Sequence, residues 1–146
     1  MNQEKTNIST ANREIIAPPV TNQANFAALK DPEFDARSLW DRVNGDMELL
    51  RDLLEILKTQ APELLWEMKT ALERNAAEDL RRVSHKMKGS ALQFSAPEAA
   101  ALAGTLEDMG KRETLEGAQE VLLKLESQIR ALINKLTLRV NGATSP

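Results

Sequence analysis

The stretch AAEDLRRVSHKMKGSALQF, residues 76–94, decides how this chain is read. Leu80, Val83, Met87, Ala91 and Phe94 recur in steps of three and four, the period of one face of an α-helix. At ~100° per residue they fall within about 80° of one another on the helical wheel. His85, the single histidine of the sequence, lies about 160° from their centre by the same geometry. The spacing predicts a helix from about Ala76 to Phe94 that buries its apolar stripe and holds the imidazole out toward water.

The same period continues on both sides. Upstream, a short helix is expected over Asp35 to Val43, with Leu39 and Trp40 facing inward. Asn44 and Gly45 stop it, and Asp46 can cap the next helix. That second helix carries Met47, Leu50, Leu54, Leu57, Ala61, Leu64, Met68 and Ala71 as its buried stripe. Pro62 removes one backbone donor from it, so a kink is expected near Lys58 to Pro62. Downstream, Ser95 as N-cap and Pro97 in the first turn start a fourth helix that reaches about Gly110. Its apolar set is Ala99, Leu102, Ala103, Leu106 and Met109. A fifth, from about Thr114 to Leu138, carries Leu115, Ala118, Leu122, Leu125, Ile129, Leu132 and Leu136. Four amphipathic helices with short connections close most simply into an antiparallel up-down-up-down bundle, here with a short extra N-terminal helix. The heptad spacing of the long helices would also suit a coiled coil.

Composition agrees with an all-α fold. Of the 146 residues, 42% are hydrophobic, only 3% are aromatic and Tyr is absent, which suits helices better than a β-sandwich. Residues 1–33 are polar and irregular, with Pro18, Pro19 and Pro32, and read as a disordered leader or linker. The bundle is placed at 34–138, and 139–146 read as a disordered tail. With no cysteine there is no disulfide framework, thiol nucleophile or thiolate metal site. One histidine also leaves too few ligands for a di-metal bundle, so no metal is expected. A net charge of −3 without a basic tract argues against nucleic acid. No segment has the length of a membrane span, and the N-terminus lacks the apolar core of a signal peptide. A cytoplasmic protein is expected, and a monomer, although the fifth helix could extend a seam to a second copy.

His85 is the residue out of place. Arg81 lies one turn before it, Arg82 three residues before, Lys88 and Gly89 one turn after and Leu92 two turns after. A lone exposed histidine is usually decoration, and basic neighbours are usually a solvated face. Gly89 is harder to explain that way. Glycine in a helix interior costs about 1 kcal/mol against alanine, and nothing ends the helix there. Close approach by another protein's surface would account for it. A neutral imidazole nitrogen is a competent nucleophile near pH 7. Arg81, Arg82 and Lys88 would favour the neutral ring and pair with incoming phosphoryl oxygens. Lys88 is the first candidate for that pairing. With no buried pocket beside the ring, a nucleotide site is not expected there.

The run Ser84-His85-Lys86-Met87-Lys88-Gly89-Ser90-Ala91 resembles the motif of the histidine-containing phosphotransfer (HPt) family: His, two residues, Lys, Gly, then a small residue. The resemblance extends to Phe94 and Ala96, to Leu102 and the Leu106-Glu107 pair, and upstream to Phe34-Asp35, Leu39, the Asn44-Gly45-Asp46 turn, Leu49-Leu50 and Leu53-Leu54. It covers about residues 34–138. The short motif alone is moderately specific; with the flanking helical pattern it is strong. One departure is Ser95, where the family commonly has glycine, which puts the geometry of that joint in question.

The resemblance implies that His85 accepts a phosphoryl group from a receiver-domain aspartyl phosphate and passes it to another receiver's aspartate. Lys88 would serve the phosphate and Gly89 would give clearance, with Arg81, Arg82, Lys86 and Leu92 around them as the partner-binding face. The partners implied are receiver domains of a response regulator or a hybrid histidine kinase. The chain itself would need no cofactor, because Mg²⁺ belongs to the receiver, and would have no autokinase activity. Two rivals stand beside this. A histidine-kinase dimerisation helix would follow the His with an acidic residue, whereas Lys86 follows here, and no Gly-rich nucleotide segment is present. A helical adaptor that binds a receiver or kinase domain without phosphotransfer explains the heptads but gives His85 and Gly89 no role.

Overall fold

Asp35 and Asp46 each turn the chain into a helix by the same device. The Asp35 carboxylate accepts from the Ser38 amide at 3.1 Å, and that of Asp46 from the Leu49 amide at 3.0 Å. Both satisfy an amide that a first helical turn otherwise leaves without a partner. In the computed structural model, which describes residues 25–142, the helices that follow are α1 (Ala36–Arg42), α2 (Met47–Glu73), α3 (Ala77–Gln93), α4 (Pro97–Arg112) and α5 (Ala118–Gly142). A single helical turn at 25–28 precedes them. The pairing Asp31–Phe34 is an isolated bridge and no strand is present among the described residues.

Joints of three to five residues separate α1 through α5, and four of them hold a non-glycine residue in the left-handed region: Asn44, Asn75, Ser95 and Glu113, all with φ between 54° and 56°. Each closes its helix with the same pair of backbone bonds. At the end of α3 the Ser95 amide reaches the Leu92 carbonyl (3.0 Å) and the Ala96 amide reaches that of Ala91 (2.9 Å), a Schellman closure. Such short joints reverse the chain each time. α2 packs on α3, α3 on α4, α4 on α5 and α5 back on α2, which closes the antiparallel four-helix bundle with α1 as its short N-terminal addition.

The core is a single apolar cluster drawn from all five helices, with Leu39, Leu50, Met68, Leu80, Met87, Leu106, Leu122 and Leu132 fully buried. α2 runs unbroken through Pro62. Its stripe departs from the expected one at a single step: Leu65 is buried and Leu64 only partly so. The sequence 57, 61, 65, 68 keeps the stripe on the α5-facing side by taking two steps of four, and 64 falls on its flank. In α4, Leu102 and Met109 are likewise flanking, and Ala100 and Gly110 take buried places.

Three expectations about the ends and joints are corrected. The folded part does not begin at 34. Phe26 is buried against Phe34 and Trp40, with ring centroids 6.2 and 5.3 Å away, and Asp31 pairs with Lys135 (3.1 Å) and Arg139 (3.5 Å) of α5. Residues 1–24 lie outside the described chain. At the other end α5 continues past 138 to Gly142, because Val140 is buried and extends the apolar stripe by one more turn. Ser95 is not the N-cap of α4. That place falls to Ala96, which makes no side-chain cap bond, while the Ser95 hydroxyl donates to Ser38 (2.9 Å) and accepts from Arg42 (3.1 Å), tying the α3–α4 joint to α1.

The candidate phosphoryl-accepting histidine and its surroundings

The site is built where α3 and α4 lie closest. Gly110 marks that approach: a Cβ there would stand 2.7 Å from the Ala77 carbonyl oxygen and 2.8 Å from the Arg81 amide nitrogen. With the two backbones drawn together, a side chain one turn back on α4 reaches the outer face of α3. That side chain is Glu107, and only 9% of it is exposed.

Glu107 organises the site. One carboxylate oxygen lies 2.8 Å from His85 Nδ1 and the other 2.7 Å from Lys88 Nζ. The Lys88 ammonium first, and the His85 ring after it, hold the Glu107 carboxyl below its ordinary value of 4.5, against the opposing pull of burial. A carboxylate only accepts, so the proton of a neutral ring sits on Nδ1 and the lone pair on Nε2. The His85 side chain is 65% exposed; with Nδ1 pinned to α4, Nε2 is the nitrogen left to solvent. Such an arrangement presents an oriented nucleophile, with a cation one helical turn away.

The other predicted residues divide. Lys88 joins His85 through Glu107, and its stem crosses the α4 glycine Gly104, whose Cβ would stand 3.6 Å from the lysine Cδ. Gly89 is exposed, and a Cβ there meets nothing within 4 Å. Leu92 is exposed at 49%, an apolar patch two turns beyond the histidine. Lys86 is exposed. Arg81 is paired with Glu78. Arg82 leans toward Asp79 (3.7 Å) and lines a groove with Trp66 and Arg74 on the α2 side.

Arg81, Arg82 and Lys88 each have a carboxylate, because Glu78 and Asp79 precede the two arginines by three residues and α4 supplies Glu107. Glu107 is the residue whose role sequence reasoning missed. The sequence reading names it only as half of the Leu106-Glu107 pair, yet Gly104 and Gly110 stand three residues to either side, and small residues flanking a position on one helix face mark a close helix contact. Ser84, beside the histidine, is fully buried and its hydroxyl has no hydrogen-bond partner. Among the described residues no group of three or more His, Cys, Asp or Glu could hold a metal ion, and no helix is long and apolar enough to cross a membrane.

Comparison with known proteins bears on the same region. Residues 52–136, more than half of the chain, match the model of the Hpt domain family. The bundle is similar to the crystal structure of histidine-containing phosphotransfer protein B (HptB) from Pseudomonas aeruginosa PAO1, with a TM-score of 0.68 and 22% identity over 77% of this chain and 97% of that one. At this identity the likeness concerns the fold. No curated protein sequence matches the chain.

Proposed function

The chain belongs to the Hpt domain family, and from that membership we propose that it is a phosphorelay intermediate that carries a phosphoryl group on His85 between receiver domains. The observation that carries the reading is the ring itself: exposed, with Nδ1 held by a nearly buried carboxylate. In the forward step the Nε2 lone pair attacks the phosphorus of a receiver's aspartyl phosphate. The N–P bond forms as the P–O bond to the aspartate breaks, and the aspartate leaves as a carboxylate. The proton stays on Nδ1, where Glu107 accepts its hydrogen bond and offsets the positive charge that develops on the ring. Lys88 stands one turn away to pair with the phosphoryl oxygens. The second transfer is the same step reversed onto another receiver's aspartate.

Each remaining residue has a part in docking. Gly89 leaves the approach to Nε2 clear, and Leu92 gives an apolar contact at its edge. Exposed Lys86 gives charge toward an acidic receiver surface, with Arg81 and Arg82, each held by a carboxylate of its own helix, beside it. Mg²⁺ belongs to the receiver and is not held by this chain. The chain acts as a phosphocarrier, without autokinase activity, as a monomer in the cytoplasm.

Incubation with a phosphorylated receiver tests the reading. His85→Gln should abolish labelling of this chain while its helical circular dichroism is unchanged; undiminished labelling would remove His85 from the reaction. If wild-type protein bound the receiver yet took up no acid-labile phosphate, the adaptor reading would replace this one.

A further inference from the structure

The edge of the bundle opposite His85 is unfinished. Between α2 and α5 runs an open groove of about 550 Å³, floored by Ala61, Leu65, Ile129 and Ile133. Trp66 stands over it, 66% exposed, the most exposed of the large hydrophobic side chains among the described residues. Its rim is cationic: Lys69 (3.2 Å) and Arg130 (2.7 Å) both pair with Glu126, whose own side chain is only 14% exposed, so the ammonium and guanidinium face outward over a covered carboxylate. Water is a poor solvent for such an indole face.

We propose that this groove is the seat of the chain's own segment Ile15–Val20, IIAPPV. The 24 residues ahead of the described chain contain one apolar run, and it is this one. Pro18 and Pro19 have no amide N–H, so laying them in an apolar groove strands no donors there. Pairs of prolines favour the extended polyproline II form, which suits a trough overhung by an aromatic ring. Glu14, just before the run, is the complement to the Lys69 and Arg130 rim.

The reach is right as well. Asp31 is pinned to Lys135, the residue after Asn134 at the groove's end, so the described chain begins close to that end. From Phe26 back to Val20 is six residues, about 20 Å at full extension. The groove runs along α5 from Glu126 to Asn134, about 12 Å at ~1.5 Å per residue. Six residues in polyproline II measure about 19 Å, enough to fill it. A short tether sets the effective concentration near the millimolar range, so a weak contact is occupied most of the time. Since α2–α5 is the edge remote from α3–α4, a seated segment leaves His85 open.

The full chain lacks cysteine, so Thr21→Cys carries one nitroxide label. In nuclear magnetic resonance spectra of the labelled chain, the Trp66 indole and the Ile129 and Ile133 signals should broaden, and His85 should not. The combined change Ile15→Ser, Ile16→Ser and Val20→Ser should abolish that broadening with the melting of the bundle otherwise intact. Broadening that survives the three serines, is absent from the outset or is spread evenly over the surface overturns the proposal. So does broadening of isotope-labelled chain by a separate spin-labelled copy, which would give the groove to a second molecule. None of these readouts involves phosphoryl transfer, so the proposal stands or falls apart from the relay reading.

Discussion

Replacing Gly110 by alanine should destabilise the bundle, although helix propensity taken alone gives the opposite sign. An added Cβ would lie 2.7 Å from the Ala77 carbonyl oxygen, 2.8 Å from the Arg81 amide nitrogen and 2.9 Å from the Arg81 Cβ. Two of these atoms are backbone and cannot turn aside, so α3 and α4 must separate. Overpacking of this kind costs about 1–3 kcal/mol, and contact with rigid backbone puts it near the upper end. Alanine returns about 1 kcal/mol through its better helix propensity. The net loss is about 2 kcal/mol, a fall of about 8 °C in Tm for a domain of this size. Urea unfolding followed by circular dichroism should show a lower midpoint with an unchanged slope. Because Glu107 lies one turn before Gly110, the same displacement lengthens its bond to His85, and transfer from a phosphorylated receiver should slow several-fold. A variant that melts at or above the wild-type temperature would refute the claim that α3 and α4 meet backbone to backbone here.

Other substitutions probe the site and the joints. Gly89→Leu meets open space and gains about 1 kcal/mol of helix propensity, so it should fold at least as well as wild type. Its transfer rate should drop about tenfold, a barrier increase of about 1.4 kcal/mol; an unchanged rate would dispose of the clearance role. Glu113→Gly relieves a left-handed residue with φ of 56° and should raise stability by about 0.5–1 kcal/mol in thermal melts, whereas a loss would mean that the Glu113 side chain carries a contact of its own. Acid titration tests the site carboxylate. Glu107 is held below 4.5 by Lys88 and His85, so its contribution is present above that value and disappears as the pH falls through the depressed one. Compared with Glu107→Gln, wild-type protein should be more stable at neutral pH and lose that advantage below 4.5. A stability difference that is flat across this range would show that the carboxylate gains nothing from its partners.

Periodicity in α3 was enough to find both the helix and the exposed histidine, because apolar spacing encodes which side of a helix is covered. The same rule located four further helices and failed where two steps compete. At 64 and 65 two leucines are adjacent, so only the position of α5 decides that Leu65 goes inside. Phe26 and Asp31 fall in a stretch that reads as a leader because isolated residues have no period; their places depend on ring contacts with Phe34 and Trp40 and on ion pairs with Lys135 and Arg139 far along the chain. Ser95 illustrates a different limit. A serine before a proline reads as a cap, but the Schellman closure of α3 claims it first, and its hydroxyl turns to Ser38 and Arg42 instead. For Glu107, the signal of a helix contact lies in the glycines at 104 and 110 rather than in the acidic residue itself. The resemblance names the Leu106-Glu107 pair without a contact for it; the packing of α3 against α4 brings Glu107 to His85 and Lys88.

The four left-handed corners carry a consequence for how a message would pass through this molecule. Each fixes the rotational phase of the helix that follows, and between Ala36 and Gly142 every joint is short and closed by paired backbone bonds. A body so braced would offer much the same shape whether or not its imidazole were loaded. Information would then reside in chemical occupancy alone, and any shape change that answers it must occur in the molecule that comes to collect.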